Sequence, residues 1–253
     1  MSSTELLRGQ KVVLIGGSSG VGKSIAVAAV DYGASVVIAS SSSDRVQAAV
    51  ELLKKGAKDP GVSITGQVVE YKNQASLTAF LSQEGPFDHL VITAGRFPGV
   101  MRFPHDEIGE AFKGSFDAYY WPLVTAAQHI YKNNLMRPGG SITSTIGTTC
   151  DRPLPGWSLL SGPVGAVASV TRGLAVDLKP IRVNSISLGL VDTEIFDTLP
   201  GEIKEGIFNS RLEKLPVGHV GLPSEVAEAY IFAMRCTYLN GQIITVDGGS
   251  TLV

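Results

Sequence analysis

Lys11-Val12-Val13-Leu14-Ile15-Gly16-Gly17-Ser18-Ser19-Gly20-Val21-Gly22 is the stretch on which the reading of this chain turns. Behind Lys11, four apolar residues run without alternation, the pattern of a strand covered on both faces. Glycines at 16, 20 and 22 then let the chain turn tightly and bring backbone N–H groups close to a bound group. A helical pattern follows from Val21 to Tyr32 and stops at Gly33. In this order, strand, glycine turn and helix aim the positive end of the helix at the turn, which suits the pyrophosphate of a dinucleotide. Gly16, Ser18, Ser19, Gly20, Val21 and Gly22 are the residues expected along it. The same glycines could serve only the packing of strand on helix, but the flanking elements favour a dinucleotide.

Outward from this unit the alternation repeats. Strands are expected at Ser35–Ala39, Val62–Val69, His89–Thr93, Gly140–Thr145, Arg182–Ser187 and Gln242–Val246. Helices are expected at Asp44–Lys55, Ala75–Gln83, Glu107–Asn133, Val164–Leu178 and Ser224–Met234, the long one interrupted by Gly114 and Pro122. Ser224, after Pro223, is the expected cap of the last helix. Repeated β-α units with short loops imply an α/β fold: one doubly wound parallel sheet of about seven strands with helices on both faces. No repeat or linker divides the 253 residues, so residues 1–253 read as a single domain. The irregular stretch 192–221 reads as a substrate loop.

Composition narrows the class without naming an activity. At 44% hydrophobic residues and a mean hydropathy of +0.19, the chain can bury a sizeable core and is not disordered. A formal charge of −2 leaves no basic surplus, which argues against nucleic acid as a partner. Cys150 and Cys236 are too few for a disulfide framework, so a cytoplasmic location is expected. Residues 1–8 have no apolar signal core, and no run of ~20 apolar residues is expected to span a bilayer. The four histidines, His89, His105, His129 and His219, show no metal spacing, and no metal site is expected.

The end of the second expected strand bears on the cofactor. An acidic side chain there would hold the ribose 2′-OH of NAD and repel a 2′-phosphate. Ser40-Ser41-Ser42-Ser43 stands there instead, followed by Arg45. Hydroxyls at a helix start and one arginine suit a phosphate, so NADP is expected before NAD, although the serines could also simply cap the helix.

The Gly16…Gly20-Val21-Gly22 loop, Ile92-Thr93-Ala94-Gly95, Arg182-Val183-Asn184-Ser185-Ile186-Ser187 and Val246-Asp247-Gly248-Gly249 together resemble the short-chain dehydrogenase/reductase family. The resemblance covers almost the whole chain. It implies a Rossmann fold, a nicotinamide cofactor and a homodimer or homotetramer. It would lay Thr93, Ala94 and Gly95 along the adenosine and ribose, and set Glu70 near the adenine. Gly189 follows Leu188, where the family has proline; Val191 and Thr193 would meet the nicotinamide carboxamide.

The catalytic positions depart from that family. Where it has a Tyr-x-x-x-Lys pair, alignment on the following helix places Leu160 and Val164. The family's serine falls on Gly147, with Thr145 and Thr148 as neighbours, and its asparagine on Tyr119 or a neighbour. Hydride addition to a ketone makes an alkoxide, which needs a proton donor of tuned pKa. Hydride addition to a cationic C=N group gives a neutral amine and needs none. Pro155-Gly156-Trp157-Ser158-Leu159 and Gly173-Leu174-Ala175-Val176-Asp177 are similar to an atypical branch that includes fungal bifunctional reductase/Diels–Alderases of bridged indole alkaloid biosynthesis. That branch uses NADPH without the Tyr/Lys pair. Its aspartate position is Leu154 here.

The residues expected to carry chemistry are Tyr119, or its helix neighbour Tyr120, as a phenolic proton donor, Trp157 as a stacking surface, and Thr148 and Asp151 beside them. Leu160 and Val164 are expected to wall the pocket. The expected function is NADP(H)-dependent reduction of a small hydrophobic C=N (iminium) or activated C=O substrate in secondary metabolism. The alternatives are a non-redox, Diels–Alderase-like cyclase that only orders its substrate, or a cofactor-binding pseudoenzyme.

Overall fold

Val13 and Ile15 of β1 (Lys11–Ile15) face one side of the sheet and Val12 and Leu14 the other, because successive side chains of a strand point to opposite faces. Each side therefore builds its own core. The computed structural model describes residues 6–95, 103–110, 114–198 and 201–253. Six further strands are β2 (Ser35–Ser40), β3 (Ile64–Val68), β4 (Phe87–Ile92), β5 (Met136–Gly147), β6 (Arg182–Leu188) and β7 (Ile243–Val246). They join β1 in one seven-stranded sheet ordered β3-β2-β1-β4-β5-β6-β7, and every pairing is parallel. The order reverses between β1 and β4, which opens a crevice beyond the carboxyl ends of those strands.

Helices cover both faces, as a parallel sheet requires. On one face α1 (Gly20–Asp31), α2 (Ser43–Gly56) and α7 (Pro223–Arg235) bury Ile25, Ala29, Leu53, Val226 and Tyr230 against Val12, Leu14 and Val36. On the other, α3 (Gln74–Glu84), α4 (Ser115–Lys132) and α5 (Ser158–Asp177) bury Leu77, Phe80, Leu123, Ile130 and Val167 against Val13, Ile15 and Leu90. The remaining helix among the described residues of this region, α6 (Gly201–Leu212), lies between β6 and α7. Thr145 on β5 donates its hydroxyl to the Ile92 carbonyl at 2.9 Å and meets the Tyr230 hydroxyl at 2.7 Å, so the buried phenol is satisfied.

At the amino end of the sheet the buried polar groups are structural. Arg182 donates to the carbonyls of Ala233 and Met234, each at 2.7 Å, and so caps the end of α7. His89 shares hydrogen bonds with Ser141 Oγ at 2.8 Å and Gln10 Oε1 at 2.9 Å. Burial, with the Arg182 charge nearby, pushes its imidazole down to about 4.

Several expected boundaries are corrected. The long helix begins at Ser115, not Glu107; Glu107–Gly109 are not helical, and residues 111–113 lie outside the described set. Gly114 is its N-cap, while Pro122 is carried inside the helix on its buried face. Ser224 is not the cap of α7. Leu222 is, and the Glu225 carboxylate accepts from the Leu222 N–H at 2.8 Å with Pro223 at the first helical position. The stretch 192–221 is not irregular throughout, because α6 occupies Gly201–Leu212; residues 199–200 lie outside the described set.

The helix expected from Val164 starts at Ser158. Pro163 is accepted inside it, giving up one backbone bond but burying its ring in the core. Contrary to the expectation of no apolar span, α5 is by length and composition apolar enough to cross a bilayer. Its place is the crossover from β5 to β6, with Val164, Val167 and Leu174 turned onto the sheet.

Candidate functional site

The glycine loop is clasped from β4. Gly16 takes φ +94°, and its N–H donates to the Ala39 carbonyl at 2.8 Å. A Cβ there would stand 2.5 Å from the Ala94 nitrogen and 2.7 Å from Thr93 Oγ1. At Gly22 a Cβ would come within 2.2 Å of the Gly16 carbonyl oxygen. Neither position accepts a side chain, so the first turn of α1 is held directly under the loop. Thr93 spends its hydroxyl on this clasp, donating to the Gly16 carbonyl at 3.2 Å. Ser18 is buried in the loop, Val21 packs against the α1–α7 core, and Ser19 is the N-cap of α1 but makes no side-chain capping bond.

The other expected binding residues lie along the same crevice. Ser40 ends β2, Ser41 is exposed, and Ser42 caps α2 by accepting from the Arg45 N–H at 3.4 Å. The serine-rich turn therefore does cap the helix, and Ser41 and Arg45 remain exposed around its start. Glu70 is exposed just past β3. Gly189, past β6, would place a Cβ 2.6 Å from Asp247 Cα, so the two strand ends meet there backbone to backbone. Val191 pairs with Gly221 and buries its side chain in the α1–α7 core, so the expected contact with a carboxamide falls to its backbone. Thr193 packs its methyl over the Gly20 α-carbon, where a Cβ would find it at 3.3 Å.

Tyr119 reaches the crevice from α4. Its ring lies against Gly95, where a Cβ would be 2.7 Å from Cε1. Tyr71, half-buried beyond β3, is pushed up to about 12 by burial, with Tyr119 and Glu70 adding to the effect. Tyr119 thus stands on the β3–β4 side of the crevice with Tyr71 as an electrostatic neighbour.

The remaining expected catalytic residues gather past β5. Gly147 ends that strand, and a Cβ on it would meet only the Leu188 carbonyl, at 3.8 Å. Thr148 opens the 3-10 turn Thr148–Cys150, and its carbonyl accepts from the N–H groups of Asp151 and Arg152. Ser161 on α5 donates to the Thr149 carbonyl at 2.8 Å and locks this turn to the helix. Asp151 is exposed, and the Cys150 thiol donates to its carboxylate at 3.5 Å. Burial pushes the Cys150 thiol up, and Asp151 adds to this, which makes it a poor nucleophile. Arg152 reaches back to the Ser250 carbonyl at 3.2 Å. Trp157 is half-buried at the N-cap of α5, and Leu160 is half-buried one turn on. Val164 is corrected: at 5% exposure it belongs to the core with α4 and the sheet, because its helical face points inward.

Two features escaped sequence reasoning. The Glu194 carboxylate accepts from the Gly20 N–H at 2.7 Å and from Lys23 Nζ at 2.5 Å. Partial burial opposes its ionisation, but the hydrogen bond from Lys23, its own N–H, the Lys23 charge and the Gly20 N–H together hold the carboxyl below its usual range. Lys204 on α6 pairs with Asp192 at 3.3 Å and Asp197 at 2.8 Å. Glu194 and Gly20 are 174 residues apart, so no local pattern announces their contact.

With this geometry in place, the comparisons agree on its class. An SDR-like Rossmann domain model matches residues 4–253, and the chain belongs to the short-chain dehydrogenase/reductase family. Among its relatives, the short-chain dehydrogenase/reductase malC of Malbranchea aurantiaca is 30% identical, over 99% of this chain and 97% of that one. The short-chain dehydrogenase/reductase ATR9 of Stachybotrys chlorohalonatus is 32% identical, over 97% and 98%. The solved MalC reductase/Diels-Alderase from Malbranchea aurantiaca superposes with a TM-score of 0.89 at 28% identity, covering 99% of this chain and 100% of that one. A small-chain dehydrogenase in complex with NADPH gives 0.79 at 28%, over 96% and 99%.

Proposed function

We propose that this protein is an NADP(H)-dependent reductase of a small hydrophobic C=N or activated C=O substrate. The carrying observation is a contrast within one crevice. The dinucleotide cradle is so tight that Gly16 and Gly22 accept no Cβ, yet Gly147 and the core residue Val164 stand where the resemblance would align the family's serine and lysine. Such a cradle fits a nicotinamide dinucleotide, which when bound supplies a hydride. Gly16, Ser18, Ser19, Gly20, Val21, Gly22, Ala94, Gly95 and Gly189 would hold it, with Thr193 at the nicotinamide end. Ser40, Ser41 and Arg45, around the start of α2, favour a 2′-phosphate, and the NADPH complex of a structural neighbour supports that choice.

The chain's own contribution is placement. Trp157 and Leu160 offer apolar surface, and Leu160 provides no proton where the family has tyrosine. A cationic C=N substrate meets that condition, because its reduction needs no proton donor. Tyr119, Thr148 and Asp151 are the polar groups left to assist an activated carbonyl. A second reading, ordering of a reactive polyene for cyclisation without redox change, is favoured by the similarity to a protein described as a reductase/Diels-Alderase.

The test is to titrate NADPH and NADH by fluorescence and then follow reduced-nicotinamide absorbance with imine and ketone panels. Tighter binding of NADPH and turnover of iminium substrates are expected. Rapid turnover of simple ketones would overturn the reading; binding without any turnover would favour the cyclase.

A further inference from the structure

Helix α1 lacks a cap of its own. Ser19 makes no side-chain bond to the first turn, and that turn holds no acidic residue. A helix start leaves backbone N–H groups unpaired and carries partial positive charge, so it attracts an anion. Here the anion comes from the chain itself. Glu194, in the 3-10 turn Glu194–Thr198 past β6, puts one carboxylate oxygen on the Gly20 N–H and the other on Lys23. Thr193 packs its methyl onto the Gly20 α-carbon beside it. A cavity of about 330 Å³ adjoins the contact, lined by Gly20, Lys23, Thr193, Glu194 and Lys204 among others.

The turn is braced for this position. Lys204 ties Asp192 and Asp197, on either side of Glu194, to α6, and Phe196 stacks edge-on against Phe208 at 5.4 Å. Asp192 in turn donates its N–H to the Gly221 carbonyl at 2.9 Å, next to the Val191–Gly221 bridge. Glu194 is therefore presented to Gly20 by a supported element and not by a free side chain.

We infer that Glu194 is a built-in competitor of the dinucleotide: in the empty protein its carboxylate holds the place at the start of α1 that the pyrophosphate takes, and cofactor binding must release it. This rests on the dinucleotide reading above. One N–H cannot serve a carboxylate and a phosphate oxygen together, and two anions at one helix start repel. The energy that seats Glu194 is thus subtracted from cofactor binding. When the cofactor leaves, the same carboxylate recaps α1, so that a helix without its own cap is never left bare.

The experiment compares the whole protein with Glu194→Gln, which keeps the side chain's length and an acceptor for Gly20, and with Glu194→Ala. NADPH and NADH are titrated by nicotinamide fluorescence, and amide exchange of the Gly20 region is followed without cofactor. If the carboxylate is seated nine-tenths of the time, removing its charge tightens NADPH binding by about tenfold. Faster exchange around Gly20 is expected alongside in Glu194→Ala, which leaves that N–H without its acceptor. Unchanged or weaker binding in both variants, with the wild type binding well, overturns the inference and leaves the cofactor reading standing. Failure of all three proteins to bind either dinucleotide overturns the cofactor reading, and the inference with it. Binding by the variants alone is the strongest form of the expected result.

Discussion

Val164→Lys, at the position that the resemblance aligns with the family's lysine, is expected to destabilise this protein strongly before it can help catalysis. Val164 is 5% exposed and packs in the core formed by α4, α5 and the sheet. An ammonium there loses its water and gains no partner, and buried lysines of this kind titrate near ~6 instead of ~10.4. At 1.36 kcal/mol per unit, the penalty at pH 7 is about 5 kcal/mol, a large part of the 5–15 kcal/mol typical of a folded domain. The sign of its pH dependence follows. The unfolded chain holds the proton up to ~10.4 and the folded one only up to ~6, so stability rises with pH between those values. The deficit relative to wild type should be greatest below pH 6 and shrink to about 2 kcal/mol at pH 9. Urea unfolding of wild type, Val164→Lys and the neutral control Val164→Met at pH 6, 7, 8 and 9 measures it. A deficit under about 1 kcal/mol that does not change with pH would refute the assignment of Val164 to the core, because a pocket-wall lysine can reach water with its charged end.

Other outcomes are expected from the same structure. Gly22→Ala forces a Cβ to within 2.2 Å of the Gly16 carbonyl and should weaken dinucleotide binding by about 100-fold, from a strain of roughly 3 kcal/mol. Gly173→Ala on α5, with nothing within 4 Å of the added carbon, should leave binding unchanged and stabilise by up to about 1 kcal/mol in thermal unfolding. His89 is held neutral down to about 4 in the fold against 6.5 unfolded, so stability is complete above pH 6.5 and lost as pH falls toward 4. That loss amounts to about 3 kcal/mol, and His89→Gln should remove it from urea midpoints measured across this range. The family resemblance implies a homodimer or homotetramer, and we propose that its interface covers Trp121 on α4 and Val176 on α5, which are 53% and 70% exposed. Light scattering should find an oligomer that Trp121→Glu with Val176→Glu reduces to a monomer; a monomeric wild type would refute it.

Local chemistry was enough for the fold. The unbroken run Val12–Ile15, the glycines after it and the repeated β-α alternation specify a parallel sheet with a dinucleotide turn, because each depends on neighbours within a few residues. The same holds for Gly16 and Gly22, whose need for close backbone approach is legible from their spacing alone. Boundaries at prolines were less legible: Pro122 and Pro163 sit inside α4 and α5 because burial of their rings outweighs one lost backbone bond.

The site was decided largely by tertiary structure. The family resemblance implies that Leu160 and Val164 stand where a tyrosine and lysine would be, but only helix orientation sends Val164 into the core and leaves Leu160 half-buried. Val191, one residue before a surface loop, proves to be buried because it bridges to Gly221. Glu194 looks like any exposed acid in sequence and becomes the cap of α1 only when the chain returns past β6 to Gly20. Sequence fixes what depends on adjacent residues: period, turn and helix start. Charge placement and burial depend on segments far apart in the chain, and these meet only in the fold.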